Sequence, residues 1–180
     1  MMFYPVLGIL ILSEAASLFL KGRYFVFRYL FIGAVIFIFV LAGHLSYQQY
    51  QIWSGNKLSV FLLPPYAPIS YFLGYSFTHF FKNYLISLGA GILFLIGASW
   101  LNNKHQKRFF EEEEPYMGAL AIFAAGHPFW MFYFLGIFSV GVVGTLYLKI
   151  IRSERRFPFY NFWFPVSIIF LLSLKFFNLL

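Results

Sequence analysis

The chain has 180 residues, of which 61% are hydrophobic and 11% charged. A soluble domain of this size carries about a quarter charged residues, so most of this surface has to meet lipid rather than water. The net charge of +7 lies in short clusters between apolar runs. That pattern fits the flanks of membrane spans, not the basic stripe of a nucleic-acid binder, so the lipid bilayer is the expected partner and nucleic acid is not. Cysteine is absent, which excludes disulfides, thiolate metal sites and cysteine catalysis, and there is no aspartate.

The expected fold class is all-α: one transmembrane domain over residues 1–180, a polytopic bundle of six or seven helices. The first apolar run, about Phe3 to Leu20, lacks the basic start of a signal peptide and carries Glu14, so it reads as a retained span. The second runs from about Tyr24 to Gly43, followed by the polar segment His44 to Lys57. A third is expected from about Leu58 to Phe77, kinked or broken by Pro64, Pro65 and Pro68. The fourth, about Tyr84 to Leu101, carries Gly89, Gly91 and Gly97 on a face suited to close helix contact. After the charged stretch Asn102 to Pro115 comes a short fifth span, about Tyr116 to Gly126, which His127-Pro128 turns into a sixth, about Phe129 to Ile150, rich in Gly136, Ser139, Gly141 and Gly144. The seventh covers about Phe159 to Leu180.

Seven spans with the N-terminus inside would place eight basic residues in the cytoplasmic breaks and five on the other side. On this topology Gln51 and Glu114 share the cytoplasmic face.

Few residues could carry chemistry. Glu14 lies deep in the first span, where an ionisable group is costly and normally faces the bundle interior. It reads either as a proton or substrate site or as a buried structural group. Glu111 to Glu114 precede the fifth span, where the helix dipole alone favours acidic residues. The alternative is a divalent-cation cluster of Glu113 and Glu114 with His105. Four consecutive glutamates cannot all point one way, so at most two would serve. His127 reads as a turn residue with an intramembrane polar side chain. No HExxH pair, phosphate-binding glycine loop or nucleophile elbow is present.

From Gln51 onward the pattern resembles the membrane core of the type IV prepilin peptidases, which are intramembrane aspartyl proteases. Gln51-Ile52-Trp53-Ser54-Gly55-Asn56-Lys57 leads to Leu63-Pro64 at family-like spacing, and Glu114 opens a short helix at the place of the second catalytic aspartate. Gly126, Ser139, Gly141, Arg152 and Pro158-Phe159 follow at similar intervals. The resemblance covers about residues 40–175. It implies Gln51 and Glu114 as the two catalytic positions, and a bacterial inner membrane as the location.

The departures are glutamine at the first position, a glutamate run in place of the glycine-rich motif, and no cysteine-rich zinc segment. Two carboxyls must share a proton in such an enzyme, and glutamine cannot do so. The expectation is therefore a non-catalytic relative serving as scaffold or subunit, with other membrane subunits as partners. A hydrolase or metal-dependent enzyme built on Glu111 to Glu114 is the alternative, and a small transporter using Glu14 is the second.

Overall fold

A computed structural model describes residues 2–20, 23–105, 110–151 and 159–177. The described residues contain helices and turns and no strand. The helices are α1 (Phe3–Phe19), α2 (Tyr24–Gly55), α3 (Ile69–Ser76), α4 (Lys82–Lys104), α5 (Glu114–Ala125), α6 (Trp130–Ile151) and α7 (Trp163–Phe176). A π-helical turn, Phe77–Phe81, joins α3 to α4, so that Ile69–Lys104 is one uninterrupted 36-residue rod. Four helical stretches are long and apolar enough to cross a membrane: Tyr24–Gly55, Ile69–Lys104, Trp130–Leu148 and Phe159–Phe176. The helix α1 is apolar but shorter, and α5 is shorter still.

The rod corrects the expected third and fourth spans. The three prolines do not kink a membrane helix. They form the turn that precedes one, with Pro64-Pro65 cis and Pro68 capping α3. The Asn56 side chain ends α2 by accepting from the backbone N–H groups of Leu58 (2.9 Å) and Ser59 (3.3 Å). The polar run His44 to Gly55 is not a loop either, because it continues α2. At about 1.5 Å per residue, α2 and the rod are each roughly 50 Å long, well beyond the ~30 Å hydrocarbon core. Their excess forms a helical hairpin closed by a small core of Trp53, Leu63 and Phe72, with Tyr50 and Tyr75 against it.

Contacts fix the direction of each helix. Lys175 of α7 lies over the Phe3 ring at 5.8 Å, and Tyr160, just before α7, bonds to Ser17, so α1 and α7 are antiparallel. The Phe27 ring meets Tyr160 edge-on, placing the start of α2 beside the end of α1. Phe94 and Tyr84 of α4 contact Gly118 and Phe123 of α5 in reversed order. One end of the bundle therefore collects the starts of α2, α5 and α7 and the ends of α1, α4 and α6. The hairpin lies at the other.

Charge divides along the same line. The first end holds Arg23, Arg28 and Lys104, and α6 carries Lys149 in its last turns. The segments joining helix ends there carry Lys21, Lys107, Arg108, Arg152, Arg155 and Arg156 in sequence, outside the described residues. The hairpin end has Lys57, Lys82 and Lys175. When each connecting segment is counted with the helix ends that it joins in sequence, Lys and Arg divide ten against three, where the seven-span reading divides them eight against five.

The short helix α5 is the centre of the molecule. It touches α1, α2, α4, α6 and α7, and its residues from Met117 to Ala125 are all buried. A helix of 12 residues reaches only about 18 Å, and it is tolerated at membrane depth because protein rather than lipid surrounds its ends. Small residues allow the close approach to α4. A Cβ on Gly91 would lie 2.9 Å from the Ala119 carbonyl oxygen, and one on Gly118 would run into the Phe94 ring. In lipid this kind of close contact, rather than expulsion of water, holds helices together.

Candidate functional site

Polar groups gather where α5 begins. Pro115 sits in its first turn, where the missing N–H costs nothing. The Glu114 carboxylate reaches back to accept the Glu111 backbone N–H at 3.2 Å, and the Glu113 carbonyl accepts from Tyr116 and Met117. The incoming chain is clipped to α4 by Asn102, whose side chain donates to the Phe110 carbonyl (2.7 Å) and accepts the Phe110 N–H (2.9 Å). Of the four consecutive glutamates, Glu113 (4% exposed) and Glu114 (2%) turn inward, while Glu112 is exposed.

Glu14 comes to the same place from α1. It is half-buried toward the interior, and the Ser17 hydroxyl donates to its carbonyl (2.7 Å) and to its Oε2 (3.3 Å). The turn Phe159–Asn161 brings in Tyr160, whose buried hydroxyl donates to the Ser17 carbonyl at 2.9 Å. The charges of Glu113, Glu111, Glu14 and Glu114 all act on that hydroxyl. Tyr160 and Ser17, 143 positions apart in sequence, thus meet at the basic end.

The other residues singled out from sequence lie elsewhere. Gln51 is on the exposed last turns of α2, its Nε2 donating to the Tyr47 hydroxyl at 2.9 Å. It belongs to the hairpin, where Trp53 meets Phe72. From Phe72 to Asn102 the rod advances about 45 Å, so Gln51 and Glu114 sit at opposite ends rather than at a shared face. His105 is exposed, just past the end of α4. Among the described residues no group of three or more His, Asp or Glu side chains is placed to hold a metal ion. His127 follows α5 at the hairpin end, in the turn that Gly126 opens with φ +74° and the cis His127-Pro128 bond continues.

Tyr160, Ser17 and Asn102 did not stand out in the sequence as site residues. Ser17 was visible only as a neighbour of Glu14, and Tyr160 as one of 13 tyrosines beside the Pro158-Phe159 pair. Of the residues carrying the resemblance, Arg152 and Pro158 lie outside the described residues. No protein-family model, curated protein or solved structure matches the chain.

Proposed function

We propose that this chain is a membrane-embedded hydrolase core of the two-carboxylate type, with its basic end in the cytoplasm and Glu14 and Glu114 as the paired groups. The orientation rests on the ten-to-three division of Lys and Arg. The observation that supports the site is that Glu14 and the glutamates opening α5 all lie within electrostatic reach of one buried tyrosine, which is itself bonded to Ser17 beside Glu14. It changes the meaning of the prepilin-peptidase resemblance. Gln51 was the reason to expect a dead enzyme, and Gln51 is some 45 Å away along the rod. The partner proposed for Glu114 is instead Glu14 of α1, since both lie within electrostatic reach of Tyr160. In the chemistry that the resemblance implies, one carboxylate would activate water while the other, protonated, would polarise the scissile carbonyl. Tyr160 holds α7 to α1 through Ser17 and so fixes the distance between their ends. The substrate class is a peptide segment entering from the cytoplasmic face.

The test is cleavage of a pilin-like leader peptide by the purified protein in detergent. Wild type should cleave, and Glu14→Gln and Glu114→Gln should each lose at least about a hundredfold, as expected when a paired catalytic carboxyl is removed. Gln51→Ala should cleave normally. Absence of wild-type cleavage would return the chain to the scaffold reading.

That second reading has its own support. Glu111, Glu112, Glu113 and Glu114 all already take part in interactions within the chain, as a structural fastening would require. The bundle also presents small residues to lipid along two grooves, Gly8, Gly33 and Ala34 between α1 and α2, and Ser139 and Gly144 on α6, where a partner helix could lie. The transport reading loses one motive, because the proline-rich segment lies in the hairpin rather than in a broken membrane helix.

A further inference from the structure

At the hairpin end, opposite the glutamates, a cavity of about 420 Å³ opens where α5 stops halfway through the bundle. Its walls come from the start of α1, the middle of α2, the π turn, the start of α4, the end of α5 and the end of α7. Five polar side chains face it: His79, Asn83, Tyr84, His127 and Lys175. The remaining lining is apolar, including Val6, Phe80, Phe129 and Leu171.

Three features point to an anion. First, the five described glutamates all belong to the basic end, so among the described residues no carboxylate side chain competes at this end. Second, His127 Nδ1 is buried with no hydrogen-bond partner, a cost that a ligand able to share its proton would remove. Third, the π turn is where an extra residue per turn re-aims side chains, a device frequent at functional sites. Here it includes His79 and Phe80, both of which line the cavity. His79 Nδ1 is engaged with the Tyr75 carbonyl at 2.9 Å, which leaves its other ring nitrogen for a ligand. The C-terminus of α5 opposes an anion with about half a negative charge. Lys175 supplies a full positive unit, so the cavity stays positive even with both histidines neutral.

Position narrows the ligand class. Lys82 and Asn83 are exposed on the rod at this level, which marks the edge of the apolar zone, so the cavity lies at headgroup depth with apolar walls beneath it. We propose that this cavity binds a phosphate group, with Lys175, His127 and Asn83 donating to its several oxygens, and that the apolar walls take the first carbons of the chain that carries it. A lipid headgroup and a free phosphate offer the same chemistry, and the probes separate them.

The protein, purified in an uncharged maltoside detergent, would be titrated calorimetrically with hexyl phosphate, inorganic phosphate and hexyl glucoside. Hexyl phosphate should bind, hexyl glucoside should not, and Lys175→Gln and His127→Gln should each weaken hexyl phosphate at least about tenfold, equivalent to ~1.4 kcal/mol. Inorganic phosphate binding as tightly as hexyl phosphate would support the site and assign it to the free anion, whereas much weaker binding would support it and assign it to a lipid. Hexyl phosphate binding no better than hexyl glucoside, or unchanged in the folded variants, would overturn the proposal. If His127→Gln does not fold, Lys175→Gln decides, because Lys175 is exposed on the last turn of α7.

Discussion

Glu14 stood out in the sequence for a simple energetic reason: a carboxyl deep in an apolar run needs something to face. The structure supplies the Ser17 hydroxyl on its own helix, while Tyr160 bonds to the Ser17 carbonyl next to it. Glu14→Gln keeps the volume and hydrogen-bonding capacity of the side chain, so the protein should fold with a melting temperature close to wild type. Glu14→Leu should melt slightly lower, because the Ser17 hydroxyl loses its 3.3 Å carboxylate acceptor and keeps only the Glu14 carbonyl at 2.7 Å. Circular dichroism melts of both in detergent check this. Equal losses in the two would mean that the charge, rather than size or hydrogen bonding, matters at this position.

Asn102 gives a second residue-level expectation. Its side chain makes both hydrogen bonds that a backbone strand would make to Phe110, and it is 6% exposed. Asn102→Ala should cost about 1–3 kcal/mol, since it leaves a partly buried N–H and C=O unpaired. Nothing in the sequence marks this clip, because an asparagine beside a charged stretch reads as an ordinary loop residue.

Among the elements, the helices themselves were legible and their joins were not. Apolar runs mark α1, α6, α7, the first part of α2 and most of α4, because lipid leaves little choice but helix. The hairpin was misread since its polar residues, His44 to Gln51 and Thr78 to Asn83, look like breaks between spans. They are instead where two long helices leave the hydrocarbon. Helix is as good a way to satisfy backbone groups in water as in lipid, so polarity marks the membrane edge and not the helix end. The shortness of α5 was visible, but its central burial was not, because an enclosed apolar helix and a lipid-facing one have the same composition.

The α4–α5 contact gives a sharp comparison between two glycines on one helix. Gly91→Ala would place a methyl group 2.9 Å from the Ala119 carbonyl oxygen, which is backbone and cannot step aside. Gly89→Ala meets nothing within 4 Å. The first should destabilise by about 1–3 kcal/mol as overpacking does. The second should be neutral or slightly stabilising through helix propensity. Denaturation in mixed micelles would rank them, and equal effects would count against the close α4–α5 approach.

At the scale of the whole molecule, charge, topology and chemistry agree once the rod is taken as one helix. The same continuity that separates Gln51 from Glu114 also puts Arg23, Arg28, Lys104 and the Glu111 to Glu114 run at one end. It leaves the phosphate-sized cavity and the helical hairpin at the other. The most direct measurement is accessibility of single cysteines, which the cysteine-free chain allows without background. Ser54→Cys lies on the exposed end of α2 in the hairpin, and Asn103→Cys on the exposed end of α4 beside the glutamates. In oriented membrane vesicles, a membrane-impermeant maleimide should label them from opposite sides, Asn103→Cys from the cytoplasmic side and Ser54→Cys from the other. Labelling of both from one side would contradict the continuous rod, restore Gln51 to the face of Glu114, and remove the reason for pairing Glu14 with Glu114.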